Sequence, residues 1–387
     1  MITSSVMSRR ARSACLALSL ALLSGCGMFR SISVEPIAAT AQRPSNVGAY
    51  VAINDGEQPL DELLPSNFSV YENDQLLPSG QTQLTLLDRN LVAAHHVVLL
   101  IDMSLADAPE TRTMAAKAAL GFVQKVSPVE GVTVFAFDGS PTLASIATVA
   151  RGAAVPSMAA LETFTPRDKS RNLNGAIVAG LDKLDAVLSQ SGKPVRVGSL
   201  VVFASGPDVA GRIDADKTHD LVWSSPYDVL GVGIGVGPEA DDLETLARAG
   251  MVRAQANNTL PIAFEEAASK VRSEVESHYL VSYCSPARAG ERRLRLEVSY
   301  TNKEGDARKG DFEHDFSAKG FGPGCNSMVT PRFVYQPKEV TPPAGSEAPS
   351  GKTSVGPDKA KPNSGSGEQN EGDDAPVAPP DQSGYAK

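Results

Sequence analysis

Asp102 and Ser104 place a carboxylate and a hydroxyl two residues apart, directly after the apolar run 97–101. Ser205 stands in the same way after the run 200–204 and before Gly206. The carboxyl ends of strands are where an open parallel sheet holds its ligands, so these oxygens are the first candidates for chemistry. Catalysis fits them poorly. A nucleophile elbow centred on Ser205 needs Gly where Phe203 and Pro207 stand. The five histidines, His95, His96, His219, His278 and His314, lack metalloprotease spacing, and there is no phosphate-binding loop. The glycine-rich run 231–237 fails as a dinucleotide fingerprint, because Val236 and Pro238 stand where a third Gly is needed. The expectation is a protein that is not an enzyme.

Two kinds of segment must position these residues. Residues 47–92 give short alternating runs broken by turns such as Asn54-Asp55-Gly56, a β-rich pattern. From His95 onward, continuous apolar runs at 97–101, 132–137, 200–204 and 229–236 alternate with helical periods. Such runs suit strands buried on both faces of a parallel sheet. Asp107 and Glu110 resemble a capping box for a helix ending near Val126. Asn174 can cap a helix with Ile177, Leu181, Leu184 and Leu188 on one face, and a later helix carries Phe264, Ala268, Val271 and Val275. The fold class is α/β, a doubly wound, mostly parallel sheet with a flanking β-rich domain. The α/β domain is expected over 93–285. Segments 47–92 and 286–333, each too small to fold alone, are expected to pair.

From about His95 to Ser285 the chain resembles a von Willebrand factor A domain. That family carries Asp-x-Ser-x-Ser after its first strand, a Thr before a later helix and an Asp after the fourth strand. Together these hold a divalent cation whose open position accepts a partner's carboxylate. Here Asp102 and Ser104 match, but the third position is Ala106, the Thr position falls on Arg171 and the Asp position on Ser205. A guanidinium near Asp102 repels Mg²⁺ and meets the same carboxylate bidentately. The resemblance therefore implies a degenerate metal site with no metal and no cofactor. Asp102, Met103, Ser104, Leu105, Arg171 and Ser205 then form the candidate surface for an unknown protein partner. An alignment slip of one or two residues instead brings Ser170, Asp168 or Asp208 in as oxygen donors. Residues 68–74, Phe-Ser-Val-Tyr-Glu-Asn-Asp, resemble the strand preceding the A domain in secreted bacterial proteins of this type.

The amino terminus sets the compartment. Arg9, Arg10 and Arg12 precede an apolar stretch of about ten residues, too short to span a bilayer. It ends in Leu23-Ser24-Gly25-Cys26, which resembles a bacterial lipobox. The resemblance implies a signal peptide over 1–25 and an acylated Cys26. Gly27 in the next position favours the outer membrane. A polar tether is expected over 26–46. In such an oxidising compartment Cys284 and Cys325 are expected to form a disulfide, worth roughly 3–4 kcal/mol for a loop of about 40 residues; the alternative is two free buried thiols.

Composition narrows the partners. Of 387 residues, 36 are Lys or Arg and 45 Asp or Glu, for a formal charge of −9. The first 25 residues hold three Arg and no acid, so the remainder carries 33 bases against 45 acids. Such a chain has no general attraction for nucleic acid. Residues 334–387 are rich in Pro, Gly, Ser and acids, with no Leu, Ile, Phe, Met or Trp, and are expected to be a disordered tail. Two roles follow as expectations: metal-independent protein binding or scaffolding by a lipid-anchored envelope protein, or a structural envelope protein whose tail makes the contacts. A metal-dependent adhesin is a third.

Overall fold

The computed structural model describes residues 31–334, apart from 57, 106–107 and 236–240. These belong to the first of two compact units, Met1–Pro342. Cys26 with its signal, the tail beyond 334, Ala106, Asp107 and Val236 lie outside the described residues.

In chain order the elements begin with strands β1 (Ser33–Gln42), β2 (Asn46–Asp55), β3 (Gln58–Pro59), β4 (Phe68–Glu72) and β5 (Gln75–Leu76). A short helix α1 (Ser79–Thr82) leads to β6 (Thr85–Leu87), β7 (Ala93–Asp102), α2 (Pro109–Val126), β8 (Gly131–Phe137) and β9 (Ala144–Val149). Next come α3 (Ala159–Glu162), α4 (Leu173–Gln190), β10 (Val195–Ala204), α5 (Ala215–Ser224) and β11 (Asp228–Ile234). The chain continues through α6 (Asp241–Leu246), β12 (Met251–Ala254), α7 (Leu260–Glu276) and β13 (His278–Cys284). Last among the described residues are β14 (Glu291–Thr301) and β15 (Ala307–Ser317).

The α/β lobe is a six-stranded sheet ordered β12-β11-β10-β7-β8-β9, parallel except for β9, which runs antiparallel to β8. Strand β7 lies inside it and is buried on both faces, which is why its sequence reads as an unbroken apolar run. Val97, Leu99 and Ile101 pack with α2 and α7, through Phe122 and Phe264 among others. Val98 and Leu100 point the other way, onto Leu181 and Leu184 of α4. Each fully buried Leu or Val contributes roughly 1.5–3 kcal/mol. Helix α2 begins at Pro109 with Ala108 as its cap, and no capping side chain comes from Ala108. Helix α4 starts after Asn172, whose side chain makes no capping bond, and Asn174 lies in its first turn rather than at the cap.

The flanking lobe corrects the sequence expectations in two places. Residues 33–42 are not tether but strand β1, paired antiparallel with β2 along its length. Its Ala-rich sequence hides the alternation, and Pro36 sits at a register shift on this sheet-edge strand, where a missing N–H is tolerated. Strand β13 falls within the bounds expected for the α/β domain, 93–285, but pairs with β2 and β6. Its sheet, β1-β2-β13-β6 with β3 on β2, faces a second sheet ordered β15-β14-β4-β5. Val51, Tyr279 and Tyr283 from one meet Val70, Leu296 and Phe312 from the other in a common core. Strand β14 pairs with β4 at Val298↔Phe68 through Leu294↔Glu72.

The two lobes meet at the amino ends of β7 and β10. Val92, Ala93 and Val195 pack there with Tyr50, Leu280 and Phe333. The Cys284–Cys325 disulfide fastens the segment leading to Phe333, and the ring of Pro331 covers Gly48 so closely that an added Cβ would clash with its Cγ. His95 and His278 fill the junction with rings 5.8 Å apart, and the Tyr50 hydroxyl hydrogen-bonds His95 Nε2 at 2.8 Å.

This junction makes stability depend on pH. Burial, then the charges of His278, Arg89 and Arg151, hold His95 well below its ordinary value. Burial lowers His96 from 6.5 to about 4. Both stay neutral in the fold while the unfolded chain takes up protons below pH 6.5, so acidification removes stability. Burial raises the Glu130 carboxyl well above 4.5 against the pull of Arg89, which acts in the opposite sense. Burial lowers His314 as well, so histidines outnumber the glutamate, the unfolded chain binds more protons than the fold near pH 5.5, and stability falls as the pH drops. Urea unfolding should show this loss between pH 6.5 and 4.5, and Glu130→Gln should steepen it. A flat or inverted profile would refute the assignment.

Candidate functional site

The last residue of β7 is Asp102, and its carboxylate is the centre of the site. Oδ1 accepts the backbone N–H of Ser104 at 2.9 Å and the Ser104 hydroxyl at 2.7 Å. Oδ2 accepts Arg171 Nε at 2.6 Å, the Ser205 N–H at 2.9 Å and the Ser205 hydroxyl at 2.7 Å. Five donors thus converge on one carboxylate whose side chain is fully buried. The parallel pairing of β7 with β10, with Ile101 opposite Phe203, brings Ser205 beside Asp102.

Arg171 precedes the cap of α4 and divides its donors between the end of β7 and the loop after β10. Besides Nε on Asp102, Nη2 donates to the Ser205 hydroxyl at 2.8 Å and Nη1 to the Pro207 carbonyl at 3.0 Å. The backbone oxygen of Arg171 accepts the N–H groups of Val209 and Ala210. Gly206 makes room for the guanidinium, since a Cβ there would lie 2.8 Å from Nη1. The expected bidentate pairing is corrected to a single N–H···O bond, because the other guanidinium nitrogens are drawn to Ser205 and Pro207. The pairing of a buried cation with a buried anion, with further hydrogen bonds to both, is the arrangement that offsets their desolvation.

The alternative oxygen donors are engaged elsewhere. Asp168 Oδ1 accepts the Ser170 N–H and hydroxyl, and Arg212 Nη2 lies 2.9 Å from Oδ2. These contacts, the Ser170 hydroxyl first, hold the Asp168 carboxyl below its ordinary range. Asp208 accepts the N–H of Asn174 at 2.8 Å and that of Gly211 at 2.7 Å, so it satisfies a free donor at the start of α4. A third Asp-x-Ser turn, Asp138 and Ser140, was not singled out from the sequence. Burial raises the Asp138 carboxyl, but the bonds from Ser140 and the Arg167 and Asp168 N–H groups outweigh it and lower it overall. Among the described residues, no three His, Cys, Asp or Glu side chains are grouped to hold a metal ion.

A cleft of about 230 Å³ lies beside Asp102 and Ser205, lined mainly by Leu105, Met114, Phe203, Ile234 and Leu260, with Thr111 and Asn257 as its other polar residues. Of the expected contact residues, Leu105 is 61% exposed and Ser205 half-buried. Met103 is corrected: it is 1% exposed and packs in the core under α2, because its backbone N–H is tied to Phe137 of β8. Arg171 and Ser104 are buried too and present no contact surface. The signals missed in the sequence were Gly206 and Pro207, which look like ordinary turn residues.

No protein-family model matches the chain, and no curated protein is similar to it. Solved structures are. One is a von Willebrand factor type A protein from Catenulispora acidiphila, at 12% identity, covering 74% of this chain and 73% of that one, with a TM-score of 0.39. Another is a manganese-loaded TRAP protein from Plasmodium vivax, at 9% identity over 66% of this chain and 99% of that one, with a TM-score of 0.36. Proximal thread matrix protein 1 from the mussel byssus is matched at 15% identity over 46% of this chain and 48% of its own length, with a TM-score of 0.36.

Removing one partner of the central pair should be costly. Arg171→Ala strands the Asp102 carboxylate with only the serine donors and should lower unfolding stability by about 3 kcal/mol. The double variant Asp102→Ala/Arg171→Ala should lose less than the sum of Asp102→Ala and Arg171→Ala measured singly. Additive losses in denaturant titrations would show that the two side chains are not coupled.

Proposed function

We propose that this chain is a lipid-anchored protein of the bacterial cell envelope that binds a protein partner at the carboxyl edge of its parallel sheet without a metal ion. The observation that carries the metal-independent part is the saturation of Asp102. All its acceptor positions are taken by hydrogens, and a guanidinium already supplies the positive charge a cation would bring. Leu105 and the apolar cleft next to it offer the partner a surface of the kind that forms the centre of protein interfaces. The lipid anchor rests on the Leu-Ser-Gly-Cys26 signal, and the protein is read as a binder rather than an enzyme.

Metal comes first among the tests. A ligand present at 100 times its Kd and bound only to the fold adds about 2.7 kcal/mol, which is several degrees of Tm for a domain of this size. Millimolar Mg²⁺, Mn²⁺ or EDTA should leave Tm unchanged. A shift with Mg²⁺ that disappears in Asp102→Ala would restore the metal-dependent reading. For the partner, capture from envelope extract should survive deletion of 336–387 and weaken about tenfold, or about 1.4 kcal/mol, in Leu105→Glu. Capture lost with the tail alone would favour the structural reading, in which the tail makes the contacts.

A further inference from the structure

Strand β1 shortens the link between the anchor and the fold. A flexible link over 26–46 would have an r.m.s. span of roughly 25 Å and allow any orientation. Instead, the backbone at Ser31 already bridges Lys309 of β15, and the Ile32 N–H donates to the Lys309 carbonyl at 3.1 Å. Ile32 is 3% exposed, held in the core between the two β sheets. From Cys26 to Ser31 there are five residue steps, which span at most about 18 Å when fully extended.

What lies at this end of the β lobe follows from the register. Lys309 pairs with Ser299, and the Ser299 carbonyl accepts the Asn67 side-chain N–H at 2.8 Å. The turn between β14 and β15, with Lys303 exposed in it, and the exposed Leu64 therefore share the end at which the chain enters. The far end of β15, Ser317 opposite Glu291, is eight residues beyond Lys309, or about 27 Å at strand rise. That exceeds the reach of the link. Of the cations near the turn, Lys309 is already paired with Glu297 and Arg308 with Asp306 and Asp55, so the link rather than attraction to anionic headgroups sets the approach.

We infer that this end of the β lobe, formed by Ser31, the β14–β15 turn and the Leu64–Asn67 loop, is the surface that faces the lipid bilayer. The inference rests on the reading of Cys26 as the acylated residue. It makes the β lobe an oriented mount, with a fixed end toward the membrane.

Energy transfer to headgroup-labelled lipid tests it on the full-length acylated protein, reconstituted in phosphatidylethanolamine–phosphatidylglycerol vesicles. Donor dye is placed at Lys303→Cys or at Lys319→Cys, exposed positions at opposite ends of the β14–β15 hairpin. Transfer should be at least twofold greater from position 303 and unchanged when phosphatidylcholine replaces phosphatidylglycerol. A 15-residue Gly-Ser spacer inserted between Gly27 and Met28 should keep the protein on the vesicles and erase the difference. Equal transfer from the two positions without the spacer, or greater transfer from 319, overturns the orientation while leaving the anchor intact. Wild-type protein that does not stay on vesicles, or Cys26→Ser protein that does, overturns the anchor and the orientation together.

Discussion

A buried carboxylate at the end of the central strand obliges the surrounding loops to supply hydrogens. Asp102 has no exposed side-chain surface, so each of its lone pairs must be met from within the protein. The turn after β7 supplies Ser104, the turn after β10 supplies Ser205, and the approach to α4 supplies Arg171. Three chain segments are thereby fixed relative to one another at the edge of the sheet. Arg171 extends the constraint to the Pro207 carbonyl through its guanidinium and to Val209 and Ala210 through its backbone carbonyl. What would otherwise be three independent loops becomes one rigid rim beside the cleft. Under the proposed binding role, such a rim leaves little ordering to be done on docking.

Most of the α/β lobe was legible because its strands are buried on both faces and its helices on one. Residues 97–101 read as a strand for that reason, and Ile177, Leu181, Leu184 and Leu188 lie on the buried face of α4 as their spacing implies. The pairing of Asp102, Arg171 and Ser205 was legible only by resemblance, through the positions they share with a known motif. Finer features escaped because they depend on where neighbouring chains arrive. Met103 looked like a contact residue at a loop start, yet its backbone bond to Phe137 turns it inward. Asn174 looked like a cap, but Asp208, from a different loop, meets its N–H.

The β lobe was harder to read, for a physical reason. Strand β1 is Ala-rich and carries Pro36, so neither hydrophobic alternation nor β-branched enrichment marks it. Its existence depends on β2 offering a complete edge to pair with. Strand β13 is buried on both faces, like a parallel strand, because one face meets the second β sheet and the other meets the α/β lobe. Burial on both sides is a property of layers rather than of strand direction, and local sequence does not distinguish the two.

The chain order of the β lobe has a consequence for how the protein is made. The hairpin of β1 and β2 is local, but the other edge of β2 is completed only by β13, and the Asn67 loop waits for Ser299, 232 residues later. Contacts so distant along the chain close slowly, and an open strand edge meanwhile invites pairing with other chains. The α/β segment lies wholly between the two halves and can complete its own sheet first. As the nascent chain emerges, its first hairpin therefore remains half-finished through the synthesis of most of the protein. An escort that shields that edge until β13 to β15 arrive would act on the earliest part of the chain, on behalf of the last.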